Sequence, residues 1–128
     1  MKKTRSSGLK RLVSAFGNSV TGFRDIWRHE EAFRIEVVVL LLCVPLALWI
    51  GQSLAHIGLL IGSVLFLIVV EILNTAIEAT IDRVGTEKHE LSRIAKDLGS
   101  LAVFTTALFP LAIWGASVLA WFDVISLG

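Results

Sequence analysis

Three segments of this chain are apolar for long enough to cross a bilayer, and that confines the fold to a bundle of membrane-spanning helices. A span takes about 20 residues of helix, because backbone polar groups in hydrocarbon must be bonded within their own segment. The first segment runs from Phe33 to Ile50, with Arg34 and Glu36 at its start. The second runs from Ile57 to Ile81 and turns polar in its last third. The third covers Leu98 to Phe122, broken only by small residues, threonines and Pro110. With 55% hydrophobic residues and a length of 128, and with a mean hydropathy of +0.76, a soluble domain would have too few polar side chains to cover its surface. The expected fold class is therefore an all-α membrane protein, a single domain over residues 1–128. A surface helix over 1–32 precedes transmembrane helices over 33–50, 57–81 and 98–122.

Charge orients this frame. All twelve Lys and Arg residues lie at or before the start of the first span, or in the loop from Asp82 to Asp97. The GQSLAH turn and the tail after Phe122 carry none. The positive-inside rule then puts the N-terminus and the second loop in the cytoplasm. The N-terminus is basic, but its first long apolar run begins only after residue 34, so no cleavable signal peptide is expected. Cys43, the only cysteine, excludes an intramolecular disulfide and reads as a packing residue. Trp49, Trp114 and Trp121 read as interfacial anchors. Pro45 and Pro110 fall inside spans, where neighbouring helices absorb a kink.

Before the first span, Leu9, Leu12, Val13, Phe16, Val20, Phe23, Ile26 and Trp27 recur at spacings of three and four, with Lys10, Arg11, Arg24 and Arg28 between them. This is an amphipathic helix lying in the membrane surface. Gly17 and Gly22 allow a hinge between two shorter helices.

The chemistry is concentrated in EILNTAIEATIDR, residues 71–83. Glu71, Asn74, Glu78 and Asp82 stand at offsets of 0, 3, 7 and 11, within roughly 80° of one helical face. The fourteen residues before them, Ile57 to Val70, carry no charge. An ionisable group inside a span costs roughly 2.5–3.5 kcal/mol even on lenient insertion scales, so a row of them calls for a reason. At about 1.5 Å per residue from Ile57, Glu71 lies roughly 21 Å along the span and Glu78 two turns further out. In HEEAFRIE, residues 29–36, Glu30, Glu31 and Glu36 bring negative charge to the same boundary as Glu78 and Asp82. Glu31 reads as solvated. Acidic clusters at one depth repel unless a cation or basic side chains lie between them. Glu87, Lys88, His89, Glu90, Arg93, Lys96 and Asp97 of the second loop suit a phosphorylated partner from the cytoplasm, with Lys96 a point charge on phosphate. A solvated positive-inside loop explains them too. No soluble nucleotide cradle such as GxxxxGK[ST] or GxGxxG occurs.

EILNTAIEATIDRVGTEKHELSRIAKDLGS, with EEAFRIE upstream, resembles the bacterial integral-membrane diacylglycerol kinases over nearly the whole chain. The resemblance implies a homotrimer of three-span subunits in the bacterial inner membrane. It implies transfer of the γ-phosphoryl group of MgATP to the primary hydroxyl of diacylglycerol, giving phosphatidic acid. Residue by residue it implies Glu71 as the general base, and Glu30 and Glu78 as carboxylates holding the magnesium on ATP. It implies Arg11, Glu87, Lys88, His89, Lys96 and Asp97 near the nucleotide, and Arg34, Glu36 and Ser100 on the lipid side with Glu71. Asn74 and Asp82 match the supporting polar face. Asn18 stands where well-known members carry a tyrosine against the nucleotide, and Val20 replaces a tryptophan. No nucleic acid is expected as a partner.

Two alternatives stay open. One is the same reaction on undecaprenol or another lipid alcohol. The other is a small cation channel or transporter whose path is the acidic stripe; Lys88, Lys96 and Arg11 favour phosphate over a bare cation path.

Overall fold

The computed structural model describes residues 7–122; residues 1–6 of the expected surface helix lie outside them. Within that range the chain folds as four helices: α1 (Gly8–His29), α2 (Glu31–Ile50), α3 (Leu54–Val84) and α4 (Glu90–Trp121). The last three are long and apolar enough to cross a membrane. All three helices begin before their expected spans, by two, three and eight residues, and α3 also ends three residues later, whereas α2 ends at Ile50 as expected and α4 one residue before Phe122. At 31 and 32 residues, α3 and α4 are each about 47 Å long, well beyond a hydrocarbon core of about 30 Å. Starting at Leu54 places Glu71 about 25 Å along α3 rather than 21 Å. The segment read as a loop over 82–97 shrinks to residues 85–89, because α3 continues to Val84 and α4 begins at Glu90. Glu90, Arg93 and Asp97 explain the early start: Arg93 pairs with both carboxylates at i−3 and i+4, spacings that support a helix.

No hinge divides α1. It is one helix of 22 residues, so Gly17 and Gly22 do not break it. Leu9, Leu12, Val13 and Phe16 remain exposed along it, an apolar stripe suited to a bilayer surface. Its far end is locked. Phe33, 2% exposed, is met edge-on by Phe23 at 5.6 Å and Trp27 at 6.4 Å. The chain bends at Glu30 (φ −117°, ψ 106°). Arg34 then reaches back to donate to the carbonyls of Trp27 (2.6 Å) and Arg28 (3.3 Å), satisfying acceptors that the end of α1 leaves open.

The principal packing is between α3 and α4. Leu60, Ser63, Val64 and Ile68 are buried along α3. Trp114 of α4 donates its indole N–H to the Leu60 carbonyl at 3.0 Å. This corrects its reading as an interfacial anchor: its polar atom is engaged inside the bundle. Trp49 and Trp121 meet edge-on at 6.1 Å at the outer ends of α2 and α4. His56 accepts from the Gln52 N–H through Nδ1 and donates through Nε2 to Ser117 Oγ at 2.8 Å. The Ser117 hydroxyl donates in turn to Ile113 O.

Candidate functional site

The polar third of α3 faces the corner where α1 turns into α2. Glu71 is 6% exposed and Asn74 9%, whereas Glu78 is half-buried and Asp82 exposed. The stripe therefore runs from the interior outward on one face, as its spacing requires. Across from it, Glu30 and Glu78 line one cleft of about 640 Å³ together with Ser19, Asp25, His29 and Asp82. That volume suits a small-molecule ligand. Glu71 lies close enough to Glu30 and Glu78 for their charges to repel, and Glu36 stands in the same relation to Glu71. One oxygen of Glu36, Oε2, is buried without a hydrogen-bond partner among the described residues.

Four carboxylates on α2, α3 and the bend between α1 and α2 thus share one region. Among the described residues none of the four takes part in an ion pair; the pairs present are Arg93–Glu90, Arg93–Asp97 and Lys96–Asp82. Like charges brought together in a partly dry setting repel, and a cation between them or protonation relieves the repulsion. Among the described residues no three His, Cys, Asp or Glu side chains converge as a ready-made metal cage. The donor set instead fits an ion held by one or two carboxylates and completed by a ligand's oxygens, which is magnesium's habit with phosphates.

A second cleft of about 730 Å³ opens between the end of α3 and the start of α4, with Lys88, Arg93 and Lys96 among its walls. Asp82 lines both clefts. Lys96 donates to Asp82 Oδ1 at 2.8 Å and also lies in the field of Glu78. The basic side chains of the second cleft are therefore contiguous with the acidic wall of the first, through Asp82.

The remaining sequence candidates divide. Glu87, Lys88 and His89 line the second cleft. His89 is also the N-cap of α4, its Nδ1 accepting from the Leu91 N–H at 3.1 Å. Asp97 is held by Arg93 at 2.7 Å, on the exposed side of α4. Arg34 is engaged at the α1–α2 corner as described. Arg11 and Asn18 are exposed on α1 and line neither cleft. Ser100 is exposed on α4 and does not join the cluster. Sequence reasoning passed over His29, Asp25 and Thr75, which line the first cleft. His29 could have been found by its place beside Glu30. Its Nδ1–H donates to the Asp25 carbonyl at 2.7 Å, which leaves Nε2 as the ring's free polar atom.

The chain is similar in sequence to known proteins. A family model described as prokaryotic diacylglycerol kinase matches residues 17–118. A diacylglycerol kinase of Escherichia coli strain K12 is 44% identical over 116 residues, 91% of this chain and 93% of the relative. One from Pseudomonas aeruginosa is 41% identical over 113 residues, covering 88% and 92%. One from Haemophilus influenzae is 38% identical over 111 residues, covering 87% and 94%.

Proposed function

The chain belongs to the prokaryotic diacylglycerol kinase family, and from that premise we propose that it transfers the γ-phosphoryl group of ATP to the primary hydroxyl of diacylglycerol, giving phosphatidic acid and ADP. The observation that carries the site assignment is the group of four unpaired carboxylates, Glu30, Glu36, Glu71 and Glu78, gathered where three helical elements meet. Phosphoryl transfer asks mainly for positioning and charge neutralisation, and this cluster supports both.

Glu30 and Glu78 would hold magnesium on the nucleotide, and the ion would supply neutralisation of charge on the phosphate oxygens. Lys96 and Lys88 hold the triphosphate from the α4 side, and the second cleft between them takes the rest of the nucleotide. Glu71, buried and nearer the bilayer centre, faces the lipid. Its carboxylate accepts the hydroxyl proton as the lipid oxygen forms its bond to the γ-phosphorus and the bond to the departing ADP oxygen breaks. The face of α3 thus links a lipid depth to an aqueous one about two turns away. Glu36 and Arg34 flank the lipid's approach, and Ser100 contacts it from α4.

The membrane is the bacterial inner membrane with the N-terminus in the cytoplasm, as the charge partition supports. The working unit is a homotrimer. On α3, Ser63 is buried against its own chain. A Cβ on Gly58 or Gly62 would meet nothing within 4 Å, so these two offer flat ground for a second copy.

The test is to incubate purified protein with labelled MgATP and, separately, diacylglycerol, undecaprenol and ceramide. Diacylglycerol should be labelled fastest, and Glu30→Gln and Glu78→Gln should each abolish magnesium-dependent transfer. Preferential labelling of undecaprenol would move the substrate to another lipid alcohol. Full activity in both variants would overturn the site.

A further inference from the structure

Asn74, which stands among the carboxylates of α3, meets a glycine of α4. Asn74 lies one turn from Glu71 and one turn from Glu78 on α3. Its Nδ2 donates to Glu78 Oε1 at 3.5 Å, the long end of a hydrogen bond, so the link depends on where the amide is held. An Asn amide turned over exchanges Nδ2 and Oδ1. Here that would set an acceptor against a carboxylate, so Glu78 decides the orientation. Oδ1 consequently faces α4, buried and without a donor among the described residues.

What it faces is Gly99, itself buried. A Cβ built on Gly99 would overlap Asn74 Oδ1 outright and lie 3.2 Å from Asn74 Cγ and 3.9 Å from Asn74 Cβ. The nearest atoms are thus all from one side chain, and none belongs to the α3 backbone. The absence of a side chain at position 99 is matched to the amide of Asn74.

We propose that Gly99 is a positioning residue for the phosphoryl-transfer site: it leaves Asn74 room to keep its amide turned to Glu78, and so holds Glu78 ready to bind the cation. This rests on the reading of Glu30 and Glu78 as the cation's ligands. A methyl group at position 99 displaces the amide, breaks the long bond to Glu78 and frees that carboxylate to rotate. Groups that orient a metal ligand typically change metal affinity by about 10–100-fold when removed.

The experiment measures Mn²⁺ binding by electron paramagnetic resonance, with a non-hydrolysable ATP analogue, on detergent-solubilised full-length protein. Gly99→Ala and Asn74→Ala should each weaken Mn²⁺ binding by about 10–100-fold. The double variant should match Asn74→Ala alone, since the side chain that Gly99 accommodates is gone. Wild-type binding in Gly99→Ala or in Asn74→Ala overturns the proposal. So does a double variant weaker than Asn74→Ala, which would mean that Gly99 acts through helix packing alone. If Gly99→Ala does not fold, Asn74→Ala and the double variant still decide, because neither contains the overlap. Glu78→Gln separates the two levels. If it binds Mn²⁺ normally, the cation assignment falls; if it alone loses binding while Gly99→Ala retains it, only the role of Gly99 falls.

Discussion

Lys96 of α4 donates to Asp82 of α3 at 2.8 Å, tying the two longest helices together beyond the expected hydrocarbon boundary. The pair is solvent-accessible on both sides, and exposed ion pairs contribute at most about 1 kcal/mol. The pair places an ammonium on the wall of the second cleft, beside the Asp82 carboxylate that lines both clefts, where the proposed reaction would use it. Lys96→Leu should therefore shift the melting temperature little while lowering kcat by about 100- to 1,000-fold, the loss expected on removing one donor to a developing phosphate charge. Asp82→Asn, which keeps Lys96 in place without its partner's charge, should lose far less. Equal losses in the two variants would make the pair itself, and not the lysine, the functional element.

Glu71 is the buried end of the acidic stripe, and its place nearer the bilayer centre fits a proton acceptor for a lipid hydroxyl. Glu71→Gln keeps the shape and removes the base, so kcat should fall by about 100- to 10,000-fold. Mn²⁺ binding with the ATP analogue should be retained, because Glu30 and Glu78 are untouched. Loss of Mn²⁺ binding in this variant would place Glu71 among the cation's ligands.

Much of this arrangement was legible in the chain. The spacing of Glu71, Asn74, Glu78 and Asp82 contained the stripe, since helical periodicity alone sets which residues share a face. HEEAFRIE located the second acidic group. What was not legible depends on how one helix registers against another. The bonds from Arg34 to the carbonyls of Trp27 and Arg28 cross a bend at Glu30, and nothing in local periodicity predicts that turn. The meeting of Asn74 with Gly99 depends on the register of two helices joined by a five-residue loop, residues 85–89. The start of α4 was missed for a different reason: its dense charges read as a loop, although the spacing of Glu90, Arg93 and Asp97 already suited a helix.

His56 and Ser117 join α3 to α4 at the end remote from the carboxylates, with Nε2 to Oγ at 2.8 Å. Side-chain hydrogen bonds between membrane helices average about 0.6 kcal/mol and reach about 1.7 kcal/mol. His56→Ala should lower the unfolding free energy by that order, read by denaturation in mixed micelles, and leave kcat and the magnesium requirement as they are. A changed magnesium requirement would show that packing at this end is transmitted to the site some 20 Å or more away along the helices.

Phe33 fixes the angle at which the surface helix leaves the first span. It is 2% exposed, is flanked by Phe23 and Trp27, and lines the same cleft as Glu30 three residues earlier. Removing a buried aromatic ring typically costs about 3–5 kcal/mol, and here the empty space opens beside Glu30, the carboxylate proposed to hold the cation. Phe33→Ala should thus combine a lower melting temperature with a weaker response to magnesium, because Glu30 sits on the bend that the ring supports. Phe33→Leu fills most of the space and should recover both together. A variant that loses stability but keeps its magnesium response would separate the corner's packing from the placement of Glu30, and would leave the Arg34 bonds to Trp27 and Arg28 as what positions that carboxylate.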